Sequence, residues 1–315
     1  MRVVVVTGSH GLIGSAVAAA LTAQGDRVIR LVRRGGGAEP GAPVWDPSSG
    51  RLAPAQLEGV DALVHLAGEN IAGGRWTAAR KARIYESRIR GTAALARALA
   101  ELRRPPRALV SASATGYYGD RGDEVLTEES APGSGFLAGL CRDWEAAADP
   151  ARVAGVRVVH LRTGTVLSPT GGALRRLLPT FRIGAGGPIG SGRQYMSWIA
   201  LADAVEAIRH LLAQTDLAGP VNVVAPHPVT NREFTRALGR VLRRPTLLPI
   251  PAAMLRMLFG ELADDALLAS ARVEPERLLR SGFVFRLPAI DGALRALLSH
   301  GVARPARPPG VAGER

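Results

Sequence analysis

Residues Val3–Thr7 are an unbroken apolar, β-branched run, as a strand buried on both faces requires. A helical spacing of apolar residues follows over Gly11–Ala23, then strand-like runs at Arg27–Val32 and Val44-Trp45 and a further strand at Asp61–Ala67. The alternation continues with a long helix over Ala78–Leu102, a strand at Ala108–Ser113, a helix at Phe136–Ala148 and a strand at Val156–Leu161. Strands alternating with helices predict an α/β fold, a doubly wound parallel sheet with helices on both faces. Past Ser168 the pattern changes. Gly171–Phe181 reads as a helix, Gly184–Gly192 as a glycine-rich loop, Leu201–Ala213 as a helix and Val221–Val224 as a strand. From Asn231 onward the segments are mostly helical and are broken by Pro245, Pro249, Pro251, Pro275 and Pro288. The expected organisation is a first unit over residues 1–168, to which 201–225 returns, and a smaller, mostly α-helical C-terminal lobe built from 169–200 and 226–298. Residues 302–315 are rich in Pro, Arg and Gly without periodicity, so a disordered tail is expected there.

The junction between the first strand and first helix carries the sharpest chemical signal. Thr7-Gly8-Ser9-His10-Gly11-Leu12-Ile13-Gly14 spaces three glycines three residues apart. Such spacing permits a tight turn, close approach of backbone to a pyrophosphate, and close packing of helix on strand. The helix N-terminus then presents free N–H groups and a partial positive charge to the phosphates. In this strand–turn–helix setting the motif predicts a dinucleotide cofactor on a Rossmann-type sheet, held by Gly8, Ser9, Gly11, Leu12, Ile13 and Gly14. The end of the second strand selects which one. An NAD site places Asp or Glu there, about twenty residues past the glycines, to hold the ribose 2′-hydroxyl. This chain has Leu31-Val32-Arg33-Arg34 instead. A guanidinium grips a 2′-phosphate that a carboxylate would repel, so NADP(H) is the expected cofactor, with Arg33 the leading contact and Arg34 the second.

The composition of the 315-residue chain is that of a globular protein, with 47% hydrophobic and 21% charged residues, and its 4% aromatics leave the core to Ala, Val, Leu and Ile. The net charge of +13 is almost wholly arginine, 39 Arg against a single Lys, Lys81. A nucleic-acid binder gathers such charge into a patch interleaved with aromatics. Here Arg is spread along the chain, its densest runs being pairs such as Arg33-Arg34, Arg103-Arg104 and Arg243-Arg244, so no nucleic-acid partner is expected. A positive surface still favours phosphorylated ligands. Cys141 is the only cysteine, which excludes an intramolecular disulfide or a cysteine metal cluster, and the His residues show no ligand spacing. No metal is expected. Val3–Val6 is too short for a signal-peptide core, and no stretch approaches the ~18 apolar residues of a membrane span. A soluble, cytoplasmic protein without a membrane partner is expected, its oligomeric state left open.

Further segments carry a family resemblance. The Thr7–Gly14 turn, Leu66-Ala67-Gly68 and Ser111–Gly119 resemble the extended short-chain dehydrogenase/reductases. The narrower resemblance is to their atypical branch, the "epimerase family" proteins. It rests on Leu66-Ala67-Gly68-Glu69-Asn70-Ile71, Arg75-Trp76-Thr77, Ser87-Arg88-Ile89, Gly116-Tyr117-Tyr118-Gly119, Trp144-Glu145, Arg162-Thr163-Gly164, Gly190–Gln194 and Ser197-Trp198-Ile199. The C-terminal lobe, with Pro245, Pro249 and Gly282-Phe283, resembles the small domain of unknown function that closes this family. The resemblance spans roughly residues 1–298. It implies that Leu66 and Ala67 lie beside the adenine–ribose side of the cofactor and that Val166 approaches the nicotinamide. It also puts Arg88 where other members keep an Asn near the cofactor, within reach of phosphate or ribose.

The superfamily's acid–base chemistry implies a Tyr whose pKa is lowered by a Lys four residues later, with a Ser or Thr polarising the substrate oxygen. A phenol needs that cation because its unperturbed pKa near 10 is far from neutrality. The positions four residues past the tyrosines of this chain are Ile89, Arg121, Gly122 and Ile199, and where the dyad belongs stand Phe136 and Leu140. Lys81 cannot complete it. What remains is Ser113, which matches the family's catalytic serine, and Tyr117 and Tyr118 on the loop leaving the fifth strand. Either phenol is a candidate proton donor. Candidate substrate contacts are Glu69, Arg75, Arg162, Arg193 and Trp198, the last as a wall of the site and the two later arginines as anion clamps. Lys81 is a further residue expected to face the same pocket. The leading expectation is an NADP(H)-binding oxidoreductase or epimerase-like enzyme acting on a small molecule without the usual dyad. The rival is a catalytically silent NADP(H)-binding sensor or interaction protein.

Overall fold

The computed structural model describes residues 1–33, 44–45, 52 and 54–299; the Arg33 side chain, Arg34 and the segment 302–315 lie outside what is described. Seven strands form the main sheet: β1 (Val3–Thr7), β2 (Arg27–Arg33), β3 (Val44–Trp45), β4 (Ala62–His65), β5 (Ala108–Ala114), β6 (Arg157–Thr163) and β7 (Gly219–Val223). Their spatial order is β7-β6-β5-β4-β1-β2-β3. Every neighbouring pair is parallel. The chain runs outward from β1 to β2 and β3, then crosses back to β4 on the other side of β1. The crevice between the carboxyl ends of β1 and β4 is therefore the topological switch point, where ligands of open α/β sheets bind.

Among the described residues, ten α-helices accompany the sheet: α1 (Leu12–Ala23), α2 (Ala78–Ala100), α3 (Phe136–Ala146), α4 (Asp149–Val153), α5 (Gly172–Arg182), α6 (Leu201–Ala213), α7 (Asn231–Leu242), α8 (Ala252–Phe259), α9 (Glu276–Arg280) and α10 (Ile290–Ser299). Alternation along each strand sends successive residues to opposite layers. Val4 and Val6 pack with Val64, Val110 and Leu161 against Val17 and Leu21 of α1 and Ile208 and Leu211 of α6. Val5 packs with Leu31, Leu63, Leu109 and Val158 against Leu95 and Leu99 of α2. Both faces of the sheet are thus covered. A third apolar cluster joins Leu174, Leu178 and Phe181 of α5 to Phe234 and Leu238 of α7 and Ile290 and Leu294 of α10.

The structure departs from the sequence expectation where a helix over Phe136–Ala148 was expected. There α3 ends two residues earlier, at Ala146, and the unexpected short α4 starts at Asp149 with Pro150 in its first turn, where the missing N–H costs nothing. Two-residue ladders also escape periodicity. Arg272–Val273 pairs with Val125–Leu126, and Val229–Thr230 with Tyr195–Met196, stitching the C-terminal segments to the sheet's carboxyl side. Among the described residues no helix is long and apolar enough to cross a membrane.

Candidate functional site

At the switch point, the backbone itself makes the site. Gly8 has φ +66°, and a Cβ there would lie 2.6 Å from the Leu66 carbonyl oxygen. A Cβ on Gly14 would collide with the Gly8 carbonyl. The Gly11 N–H donates to that same carbonyl at 2.9 Å, closing the turn. Side chains at these positions would force the turn off β4 or push α1 away from it. Gly11 is exposed at the mouth of the turn, and the buried Ser9 Oγ has no protein partner. An orphaned hydroxyl inside a glycine cradle at a helix N-terminus fits the phosphates of a dinucleotide. Thr7 Oγ1 accepts the N–H groups of Leu66 and Ala67 at 3.2 and 3.3 Å, holding the end of β4 beside the turn. Leu12 reaches across to Gly171 and Gly172, ahead of α5, and Gly172 packs near the Val166 carbonyl, so Val166 lies on the same edge. Ile13 and Leu66 pack partly into the core.

Arg88 projects from α2 toward Gly68, just past β4. Its Nη1 donates to the carbonyls of Glu69 and Ile84 at 3.0 and 3.2 Å, and its guanidinium lies 4.8 Å from the Trp144 ring centre. Burial lowers its pKa from the ordinary arginine value. The Glu69 N–H donates to Ser87 Oγ, so the first residues after β4 are strapped to α2. Arg75 is exposed and donates to the Met257 carbonyl at 3.2 Å, and Arg176 of α5 donates to the Ala72 carbonyl at 2.8 Å. These contacts pin the loop after β4 to both α5 and α8.

Across the crevice, at the ends of β5 and β6, lies a buried polar cluster. Ser113 Oγ donates to Glu145 Oε1 at 2.7 Å. Arg162 donates to both Glu145 oxygens at 2.9 Å, a bidentate pair with its own side chain 4% exposed. Arg162 Nη1 also donates to the Tyr118 hydroxyl at 3.1 Å, and that hydroxyl donates to Asn222 Oδ1 at 2.7 Å. Burial pushes the Tyr118 phenol up to about 12 despite the neighbouring guanidinium. Glu145 raises the pKa of Arg162 against the opposing effect of burial.

Other residues expected at the site are engaged within the protein. Tyr118 is fully buried with both hydrogen-bonding roles filled, so it supports the pocket floor instead of facing a substrate. Arg162 is neutralised by Glu145 and cannot clamp an incoming anion. Trp198 is also fully buried, in the third apolar cluster, with its indole N–H donated to the His227 carbonyl; it walls nothing. Lys81 is paired with Glu261. Phe136 and Leu140 pack with Trp76, Ile84 and Leu262 in an apolar cluster.

Tyr117 remains half-buried, its ring stacked 3.4 Å from the Arg162 guanidinium and edge-on to Tyr118. Arg193 is exposed, on the loop after Gly192. Cys141 is buried near Ser113, and burial pushes its thiol up to about 12, which leaves no thiolate nucleophile. The sequence reading missed Glu145 and Asn222 as members of this cluster. Glu145 stands in the quoted Trp144-Glu145 motif, but nothing local marks it as the partner of Arg162.

The geometry has counterparts among known proteins. The model of the NAD dependent epimerase/dehydratase family matches residues 4–225, and that of a domain of unknown function, DUF1731, matches residues 250–297. An epimerase family protein of Mycobacterium bovis is 50% identical over 298 residues, covering 93% of this chain and 96% of its own length. The crystal structure of human epimerase family protein SDR39U1 (isoform 2) with NADPH superposes with a TM-score of 0.85 at 34% identity, covering 95% of this chain and 99% of that one. A nucleoside-diphosphate sugar epimerase from Corynebacterium glutamicum superposes at 0.79 with 39% identity, covering 95% of this chain and 58% of that one.

Proposed function

Because the chain belongs to the NAD dependent epimerase/dehydratase family, we propose that it is an NADP(H)-binding enzyme, oxidoreductase or epimerase-like, acting on a small molecule without a Tyr-x-x-x-Lys dyad. The observation that carries this reading is the glycine cradle, where Gly8 and Gly14 leave no room for a side chain and the buried Ser9 hydroxyl is orphaned. Gly8, Ser9, Gly11, Leu12, Ile13 and Gly14 hold the pyrophosphate, with Leu66, Ala67 and Arg88 at the adenosine side and Val166 toward the nicotinamide. Arg33 and Arg34 take the 2′-phosphate, since no carboxylate follows Val32 to repel it. The relative solved with NADPH supports that choice of cofactor.

When bound, the nicotinamide supplies or accepts a hydride. The chain's own task is then to orient the substrate and handle one proton. Ser113 has committed its hydrogen to Glu145, so its oxygen is left to accept a hydrogen bond from a substrate hydroxyl. Tyr117 is the phenol that stands nearest the open side, with a fixed positive charge beneath its ring. Glu69, Arg75 and Arg193 form the polar rim toward the substrate.

The missing dyad favours a second reading, a silent NADP(H)-binding sensor or interaction protein. A panel of carbonyl compounds and nucleotide sugars followed at the NADPH absorbance band separates the two. Turnover that Tyr117→Phe or Ser113→Ala abolishes supports the enzyme. Silence across the panel with tight NADPH binding supports the sensor.

A further inference from the structure

His65, the last residue of β4, is fully buried at the centre of a polar chain with no charged member. Its Nδ1 lies 2.7 Å from Thr7 Oγ1 and its Nε2 lies 3.0 Å from Thr92 Oγ1 on α2. Trp144 Nε1 on α3 donates to the same Thr92 oxygen at 2.8 Å. The direction of every bond follows from counting. A hydroxyl oxygen has two acceptor sites and one hydrogen. Thr7 Oγ1 already accepts the N–H groups of Leu66 and Ala67, so its hydrogen points at His65 Nδ1. Nδ1 is therefore bare, the ring proton is on Nε2, and it is donated to Thr92. The neutral imidazole this requires is the form that burial favours, which lowers the His65 pKa to about 4.

We propose that His65 is a positioning residue for the cofactor, joining the glycine turn and the end of β4 to α3 through a single tautomer. Thr7 immediately precedes Gly8, where a Cβ would lie 2.6 Å from the Leu66 carbonyl oxygen. At the far end of the chain, Trp144 immediately precedes Glu145, which holds Ser113 and Arg162. One imidazole thus sets the distance between the pyrophosphate cradle and the strand end that flanks the adenosine. It also ties both to the helix that carries the acid–base cluster. Removing it leaves the Thr7 hydroxyl without its acceptor and lets the turn and strand end drift apart. Small displacements of this kind are felt strongly by ligands gripped through backbone N–H groups.

This assignment rests on the cofactor reading, and the experiment keeps the two apart. NADPH is titrated by tryptophan fluorescence quenching into the unaltered chain, His65→Phe, Thr92→Val and Thr92→Ser, at a temperature where each is fully folded. His65→Phe is expected to weaken NADPH by about 10-fold or more and Thr92→Val by about 3-fold, while Thr92→Ser, which keeps the hydroxyl, stays within about 2-fold. Side-chain ¹H–¹⁵N spectra of the unaltered chain should show His65 protonated on Nε2 alone. Unchanged affinity in His65→Phe, failure of Thr92→Ser to restore what Thr92→Val loses, or a proton on Nδ1 overturns the assignment while leaving cofactor binding intact. No NADPH binding by the unaltered chain overturns the cofactor reading and this assignment with it.

Discussion

The two sides of the crevice are built on different principles. On the β1–β4 side the main chain does the shaping: glycines, carbonyls and N–H groups define the cradle, and the Thr7 hydroxyl holds the strand end beside it. On the β5–β6 side the side chains carry it, through a buried Arg162–Glu145 pair that engages Ser113 and Tyr118. The first arrangement is what a generic pyrophosphate needs and is shared across a family of many chemistries. The second is assembled from residues far apart along the chain. Under the proposed function, cofactor binding and proton chemistry are separable in this fold, with the His65 chain as their mechanical link.

The largest effect that tests this separation falls on the β5–β6 side. Glu145→Ala leaves the Arg162 guanidinium buried without a counter-charge, which should cost about 3–5 kcal/mol of stability by denaturant unfolding. NADPH affinity below the melting transition should change by less than about 2-fold. A large loss of affinity instead would show that the two sides are not separate. Next, Gly14→Ala sets a methyl group against the Gly8 carbonyl and should weaken NADPH by about 100-fold, roughly 2.7 kcal/mol, in isothermal titration.

A smaller effect comes from acid. The native state binds a proton on His65 less readily than the unfolded chain, because burial lowers its pKa from 6.5 to about 4. In that window the unfolded state holds more protons, so stability rises with pH. The contribution is complete above 6.5 and declines by up to ~1.4 kcal/mol per pH unit as pH falls toward 4. His65→Asn should flatten that slope in a pH series of unfolding midpoints. Smallest in stability is Tyr117→Phe, at a half-buried side chain, which should shift it by less than about 0.5 kcal/mol. NADPH affinity should be unaltered, and turnover on any active substrate should fall by about 100-fold.

The contrast between the two sides also explains what the sequence made legible. The cradle is contiguous in sequence, and its glycine spacing is itself the physical requirement, so Thr7–Gly14 and the parallel sheet can be read directly. The β5–β6 cluster is assembled from α3, β6 and β7, and no local pattern pairs Glu145 with Arg162 or Asn222 with Tyr118. Tyr117 and Tyr118 are adjacent and identical in chemistry, yet one is half-buried and the other fully buried with its hydroxyl on Asn222, a difference that only tertiary packing decides. Trp198 was read as a wall because it follows a glycine-rich loop. It points instead into the cluster between α5, α7 and α10. Arg33 and Arg34 remain readable from sequence alone, as residues that no carboxylate replaces.

The central claim is that the β1–β4 side holds a phosphorylated dinucleotide, and one comparison tests it most directly. Purified chain is titrated in parallel with NADPH and NADH by fluorescence at fixed ionic strength. Saturable binding is expected, with NADPH at least ~10-fold tighter, about 1.4 kcal/mol, from the guanidinium contacts to the 2′-phosphate. Equal affinity for the two, or no binding of either, would contradict it.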